Sequence, residues 1–178
     1  LCAEGGRVVV AAGDVSSRED VAAGIGVLKA ALGPIDILVN NAGICKVGKL
    51  LETSEAEWKA TFGINVDGLF HVTRQIAPGM VERGRGLVVN ISSVSGVLTT
   101  PFAGPYCASK AAFNAATDAL RMEAEPLGVR VVTVQPGGAS KLPVNCRLSA
   151  PIHGRENATI HRIAKVRCKV LIDNPPPG

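Results

Sequence analysis

Apolar residues cluster in four short runs rich in β-branched side chains: RVVVAA (7–12), IDILVN (35–40), GLVVNIS (86–92) and VRVVTVQ (129–135). Each is nearly continuous rather than alternating with polar positions, the pattern of parallel strands covered on both faces. The stretches between them carry helix-start signals. Ser16-x-x-Glu19 and Ser54-x-x-Glu57 have capping-box spacing, in which each side chain satisfies a backbone N–H left over at a helix start. Helices are therefore predicted at about 18–32, 55–81 and 106–127, the second broken near Pro78. Strand alternating with helix implies right-handed crossovers and an open, doubly wound parallel α/β sheet.

In such sheets ligands bind at the carboxyl ends of the strands. The sequences just past each predicted strand are GDV (13–15), NNAG (40–43), SSVSG (92–96) and PGG (136–138), all small, polar or glycine-rich. Loops of that kind let a backbone approach a ligand closely. After residue 138 the pattern stops, and residues 139–178 show no clear period before ending in NPPPG.

Composition narrows the function classes. The chain has 178 residues, 47% apolar and 19% charged, which suits one domain with a sizeable core. Its net charge of +4 is lopsided: the last 38 residues hold seven basic side chains against Glu156 and Asp173, whereas the first 140 hold 12 against 13. That basic tail lacks aromatic residues to stack on bases and has no regular spacing, so it reads as a solvated tail rather than a nucleic-acid site. Five cysteines, with no C-x-x-C, argue for reduced thiols in a cytoplasmic protein rather than a disulfide framework or zinc site. Residues 86–109 are uncharged but too rich in Ser, Thr, Asn, Gly and Pro for a membrane span, and the first residues do not resemble a signal peptide. Asn90-Ile-Ser92 and Asn157-Ala-Thr159 match the glycosylation pattern, the first within an expected buried strand.

Two nucleotide motifs fail on their details. GIG (24–26) follows a capping box rather than a strand and has Lys29 where a third glycine would fall. GICKVGKL (43–50) follows a strand and places Gly43, Gly48 and Lys49 at phosphate-loop spacing, but Leu50 stands where magnesium needs Ser or Thr.

Tyr106 and Lys110, four apart in PYCASK, share a helical face, so an ammonium can approach the phenol. Moving a phenol from about pKa 10 towards 7 requires roughly 4 kcal/mol, the order supplied by a unit charge about 4 Å away at an effective dielectric near 20. The pair is a candidate acid/base, although taken alone it reads more readily as a partly buried tyrosine beside a snorkelling lysine.

With its surroundings, the pair resembles the short-chain dehydrogenase/reductase family. NNAG at 40–43, Asn65 in GINVDG, Ser93 thirteen residues before Tyr106, YCASK and VQPGG at 134–138 stand in that family's order and spacing, over roughly residues 1–140. The resemblance implies a Rossmann-like sheet and NAD(P)-dependent interconversion of a carbonyl and an alcohol. It assigns Ser93 to the substrate oxygen, Tyr106 to proton transfer, Lys110 to the tyrosine and the nicotinamide ribose, and Asn65 to a water linking the lysine to solvent. Asp14 would lie near the adenine, and Asn41, Ala42, Gly43, Pro136 and Gly137 would line the cofactor, which Tyr106 and Lys110 would also contact; Ser93 and Tyr106 would bind the substrate, with NADP slightly favoured over NAD as cofactor. Simpler structural roles stand beside these: Asn65 as a helix-to-strand tie, Ser93 as a strand-end cap and Gly137 as a turn.

The family's glycine-rich turn does not occur, so two βα units, on the order of 60 residues, are expected to be missing and the sheet incomplete on its N-terminal side. The strand at 7–12 would then form a poorly stable edge. Ala139-Ser140-Lys141 also departs from the family, so residues 1–140 are expected to form a partial domain and 141–178 a divergent basic segment. The expected protein is an oxidoreductase acting on a small molecule, with Val97, Leu98 and Phe102 either core or a surface for a lipid-like, retinoid or steroid alcohol. It is expected to be a homodimer or homotetramer when intact. The rival expectation is a non-catalytic remnant unable to bind dinucleotide.

Overall fold

The computed structural model describes residues 8–136 and the two-residue strand Arg147–Leu148. Helix α1 (Arg18–Leu32) leads into strand β1 (Ile37–Asn40). Helix α2 (Glu55–Phe62), a π-helical turn (Gly63–Asp67) and helix α3 (Gly68–Glu82) then cross to β2 (Gly86–Ile91), and α4 (Gly104–Ala124) crosses to β3 (Val129–Gln135). The strand order is β1-β2-β3-β4, with β4 (Arg147–Leu148) antiparallel to β3 and the other pairs parallel. The three parallel strands align Asn40 with Asn90 and Asn90 with Thr133, bringing their carboxyl ends to one rim.

Both sheet faces are buried, as the continuous apolar runs require. One face packs Leu38, Val88, Val129 and Val131 against Val21 and Ile25 of α1, Ile76 and Met80 of α3 and Ala124 of α4. The other carries Leu87, Val89, Val132 and Val134. Near the rim the first face turns polar. Asn40 Nδ2 donates to Asn90 Oδ1 (2.8 Å) and Thr73 Oγ1 (3.1 Å), and Asn90 Nδ2 donates to Thr117 Oγ1 (2.9 Å). Asn90 is wholly buried in β2, which closes it to glycosylation in the folded chain.

Three expectations need correction. Residues 8–14 form no paired strand, and Val8 and Val10 are exposed, because no described strand lies beside them to accept their backbone hydrogen bonds. The cap of α1 is Ser17, which accepts from Asp20 N, rather than Ser16; Ser16 instead donates to Asp14 Oδ1 through both its N–H and its hydroxyl. Pro78 lies inside α3, and the irregularity of the long helix falls at 63–67, where Gly63 and Gly68 bracket the π turn. The Ser54–Glu57 capping box is present in both halves.

Candidate active site

Two groups of residues meet the rim. The first lies outside β1, around a cavity of about 490 Å³ lined by residues 11–15, α1 and β1. Asp14 stands on one wall, with Asn40, Asn41 and Ala42 on another. Asn41, Ala42 and Gly43 are exposed just past β1, where a ligand would meet their backbone.

The second group is built on the first turns of α4. Pro105 at the second helical position suits a helix start, because its missing N–H has no intrahelical partner there. Tyr106 is half-buried, and one turn later Lys110 is only 4% exposed. Its Nζ donates to the Ile91 carbonyl (3.0 Å) at the end of β2, and lies 5.9 Å from the Tyr106 ring centroid and 4.6 Å from that of Phe113. No carboxylate pairs with it among the described residues. Burial lowers its pKa to about 8, yet leaves it mostly charged at neutral pH. A buried cation with one carbonyl partner is costly unless something else binds it, and its two further N–H groups suit hydroxyl oxygens of a ligand.

Gly43 approaches this ammonium from the β1 side. A Cβ there would stand 3.6 Å from Lys110 Nζ and 3.3 Å from Asn65 Oδ1, so any larger side chain would enter the space beside the lysine. Asn65 is fully buried within the π turn. Its Oδ1 accepts from Ile44 N (2.8 Å), and its Nδ2 donates to Ile44 O (3.0 Å) and Ser109 Oγ (2.9 Å). The side chain thus ties the long helix to the loop after β1 and to α4, the structural role foreseen as one of its two readings. A π turn admits an extra residue, and such turns are frequent at functional sites.

Ser93 follows β2. Its Oγ accepts from Ser95 N (3.1 Å), the capping role also foreseen, which leaves its O–H free to donate elsewhere. Ser92 N donates to Val134 O (2.8 Å) and Val94 N to Pro136 O (3.4 Å), setting Pro136 beside this loop. Gly137 and Ser140 lie outside the described residues. Val97, Leu98 and Phe102 are exposed, which removes their reading as core.

The structure therefore gathers Gly43, Asn65, Lys110 and, through Ile91, the Ser93 loop, and places Asp14, Asn41 and Ala42 around the neighbouring cavity. Sequence reasoning missed Phe113, which both lines that cavity and underlies Lys110. It also missed Asn114, whose only sequence signal is its position two turns after Tyr106.

A parallel α/β sheet with this Tyr/Lys helix and polar rim defines a Rossmann-like domain of dehydrogenase type. The short chain dehydrogenase family profile matches residues 1–145, and the chain belongs to that family. It is 43% identical over 133 residues to nodulation protein G of Azospirillum brasilense, covering 75% of this chain and 54% of that protein. It is 42% identical to acetoacetyl-CoA reductase of Allochromatium vinosum, covering 76% and 55%. A gluconate 5-dehydrogenase from Burkholderia cenocepacia, solved with NADP and tartrate, superposes with a TM-score of 0.73 at 35% identity, covering 76% and 53%. The chain spans about half the length of the curated relatives it matches.

Proposed function

We propose that these residues are the proton-transfer half of a nicotinamide-dependent oxidoreductase that interconverts a small-molecule carbonyl and its alcohol. The observation that carries this reading is the buried ammonium of Lys110, held by Ile91 O near Gly43 and the Tyr106 ring with no carboxylate among the described residues to neutralise it. A bound nicotinamide dinucleotide, NAD or NADP, would supply or take the hydride. Lys110 would hold its ribose hydroxyls and favour negative charge on the Tyr106 oxygen; Asn41, Ala42, Gly43 and Pro136 would line it, with Asp14 towards its far end. In reduction, Tyr106 gives its hydroxyl proton to the substrate oxygen while Ser93 donates a hydrogen bond to that oxygen, and in oxidation the proton returns. Asn65 holds the Ile44 backbone, and with it the approach of Gly43 to the lysine.

The exposed Val97, Leu98 and Phe102 support an apolar substrate body, lipid-like rather than a sugar acid. Exposed Phe70 on α3 and Met122 on α4 support pairing of subunits through these helices. Turnover of ketones with NADPH or NADH tests the reading, and a protein in which Tyr106→Phe retains full turnover overturns it.

Among the described residues no strand pairs with the outer edge of β1, which favours a second reading for the 178 residues taken alone, a domain that does not bind dinucleotide. Calorimetry with NADPH and NADH decides between them, since micromolar binding of either excludes the second.

A further inference from the structure

Asn114 lies two turns after Tyr106 and one after Lys110, on the same helical face. Its Oδ1 accepts from Ser92 Oγ (2.5 Å), and its Nδ2 donates to Gly96 O (3.3 Å). Because a carbonyl only accepts, the amide nitrogen must face Gly96, which fixes the orientation of the side chain. These two bonds grip the loop immediately before and three residues after Ser93, and Lys110 holds Ile91 on the same side.

Gly96 is what lets the loop come so near. A Cβ on it would collide with Asn114 Nδ2 and stand 2.8 Å from the Lys110 carbonyl oxygen, so the loop is seated against the α4 backbone at this point. Tyr106 and Lys110 are fixed by α4 itself, whereas Ser93 belongs to a different element. Beside the bonds from Ser92 N and Val94 N to Val134 and Pro136, contacts between loop and helix are what tie its hydroxyl to the element that carries the phenol.

We infer that Asn114 is a positioning residue for Ser93, setting the relative placement of the two groups that share the substrate oxygen. This rests on the reading of Ser93 and Tyr106 given above. Small displacements of reacting groups lower rate on the order of tenfold to a hundredfold, which sets the scale expected when the clamp is cut.

The test is a double-mutant cycle in the purified protein, with acetoacetyl-CoA and a long-chain ketone as probe substrates and NADPH and NADH as probe cofactors. Asn114→Leu is expected to lower kcat on the order of tenfold or more while leaving the dinucleotide KM near its wild-type value. In a Ser93→Ala background the same change is expected to cost less than about twofold, since there is no hydroxyl left to position. Gly96→Ala, which pushes the loop away from the other side, is expected to show the same coupling and serves if Asn114→Leu does not fold. Additive losses, or a loss confined to melting temperature, overturn the inference while wild-type turnover stands. Absence of turnover in the wild type overturns the proposed function and this inference with it.

Discussion

Lys110 reaches from the second turn of α4 to the Ile91 carbonyl at 3.0 Å, so one buried ammonium links the helix that carries Tyr106 to the strand that delivers Ser93. Its desolvation gives the link a measurable pH signature. The folded pKa, about 8, lies below the ordinary 10.5. Between those values the unfolded chain holds a proton that the folded one has lost, so stability rises with pH across that window; below pH 8 both states are charged and the burial cost is present in full. The rise is on the order of 3 kcal/mol. Lys110→Met should lack it, so the stability of wild type relative to the variant should rise from pH 8 to 10.5 in denaturant titrations. A difference flat across that range rules out the assignment.

Tyr106→Phe removes one oxygen from a half-buried ring and leaves Lys110 its carbonyl partner. Turnover should fall on the order of a hundredfold to ten-thousandfold, with dinucleotide affinity unchanged. Single-turnover kinetics with calorimetry check both parts.

Asn90 joins Asn40 of β1 to Thr117 of α4 with no exposure to solvent. Asn90→Ala should cost on the order of 2–3 kcal/mol, from lost packing and from an amide left short of an acceptor in the interior. Thermal melting measures it, and a loss within error would mean that the neighbours find other partners.

Ser54 and Glu57 close the start of α2 reciprocally, and the bonds from Ser54, its backbone N–H first, hold the exposed Glu57 carboxyl below its usual pKa. A depressed carboxylate stabilises the fold above its unfolded pKa and loses that contribution as pH falls through its folded pKa. Glu57→Gln should therefore melt below wild type at neutral pH and match it in acid. A gap that persists at low pH contradicts the charged cap.

Much of the fold could be read because its determinants are local. The apolar runs at 35–40, 86–92 and 129–135 and the Ser54 box reappear as β1, β2, β3 and the cap of α2. Residues 7–12 have the same composition as the other runs, but a strand also requires a neighbour to pair with, which composition does not reveal. At α1 two adjacent serines competed for the cap, and Asp14 took Ser16. At the site, the spacing of Tyr106 and Lys110 places them on one helical face, and the motifs around them, not the spacing, single them out. Asn114 is not singled out so, since its role depends on Gly96 arriving from 18 residues away in sequence and packing against α4.

The π turn at 63–67 holds one residue more than an α turn while its flanking helices stay in phase. Closing a turn with i→i+5 rather than i→i+4 bonds takes up the extra residue within about one revolution, so deleting it would restore ordinary winding and leave α2 and α3 facing much as before. The stacked Trp58 and Phe62 would keep their direction, whereas Asn65, which the turn presents to Ile44, would lose its place. Length at this turn thus belongs to the loop beside Lys110 rather than to the helix packing, so a shortened helix would be expected to keep its fold and lose its site geometry.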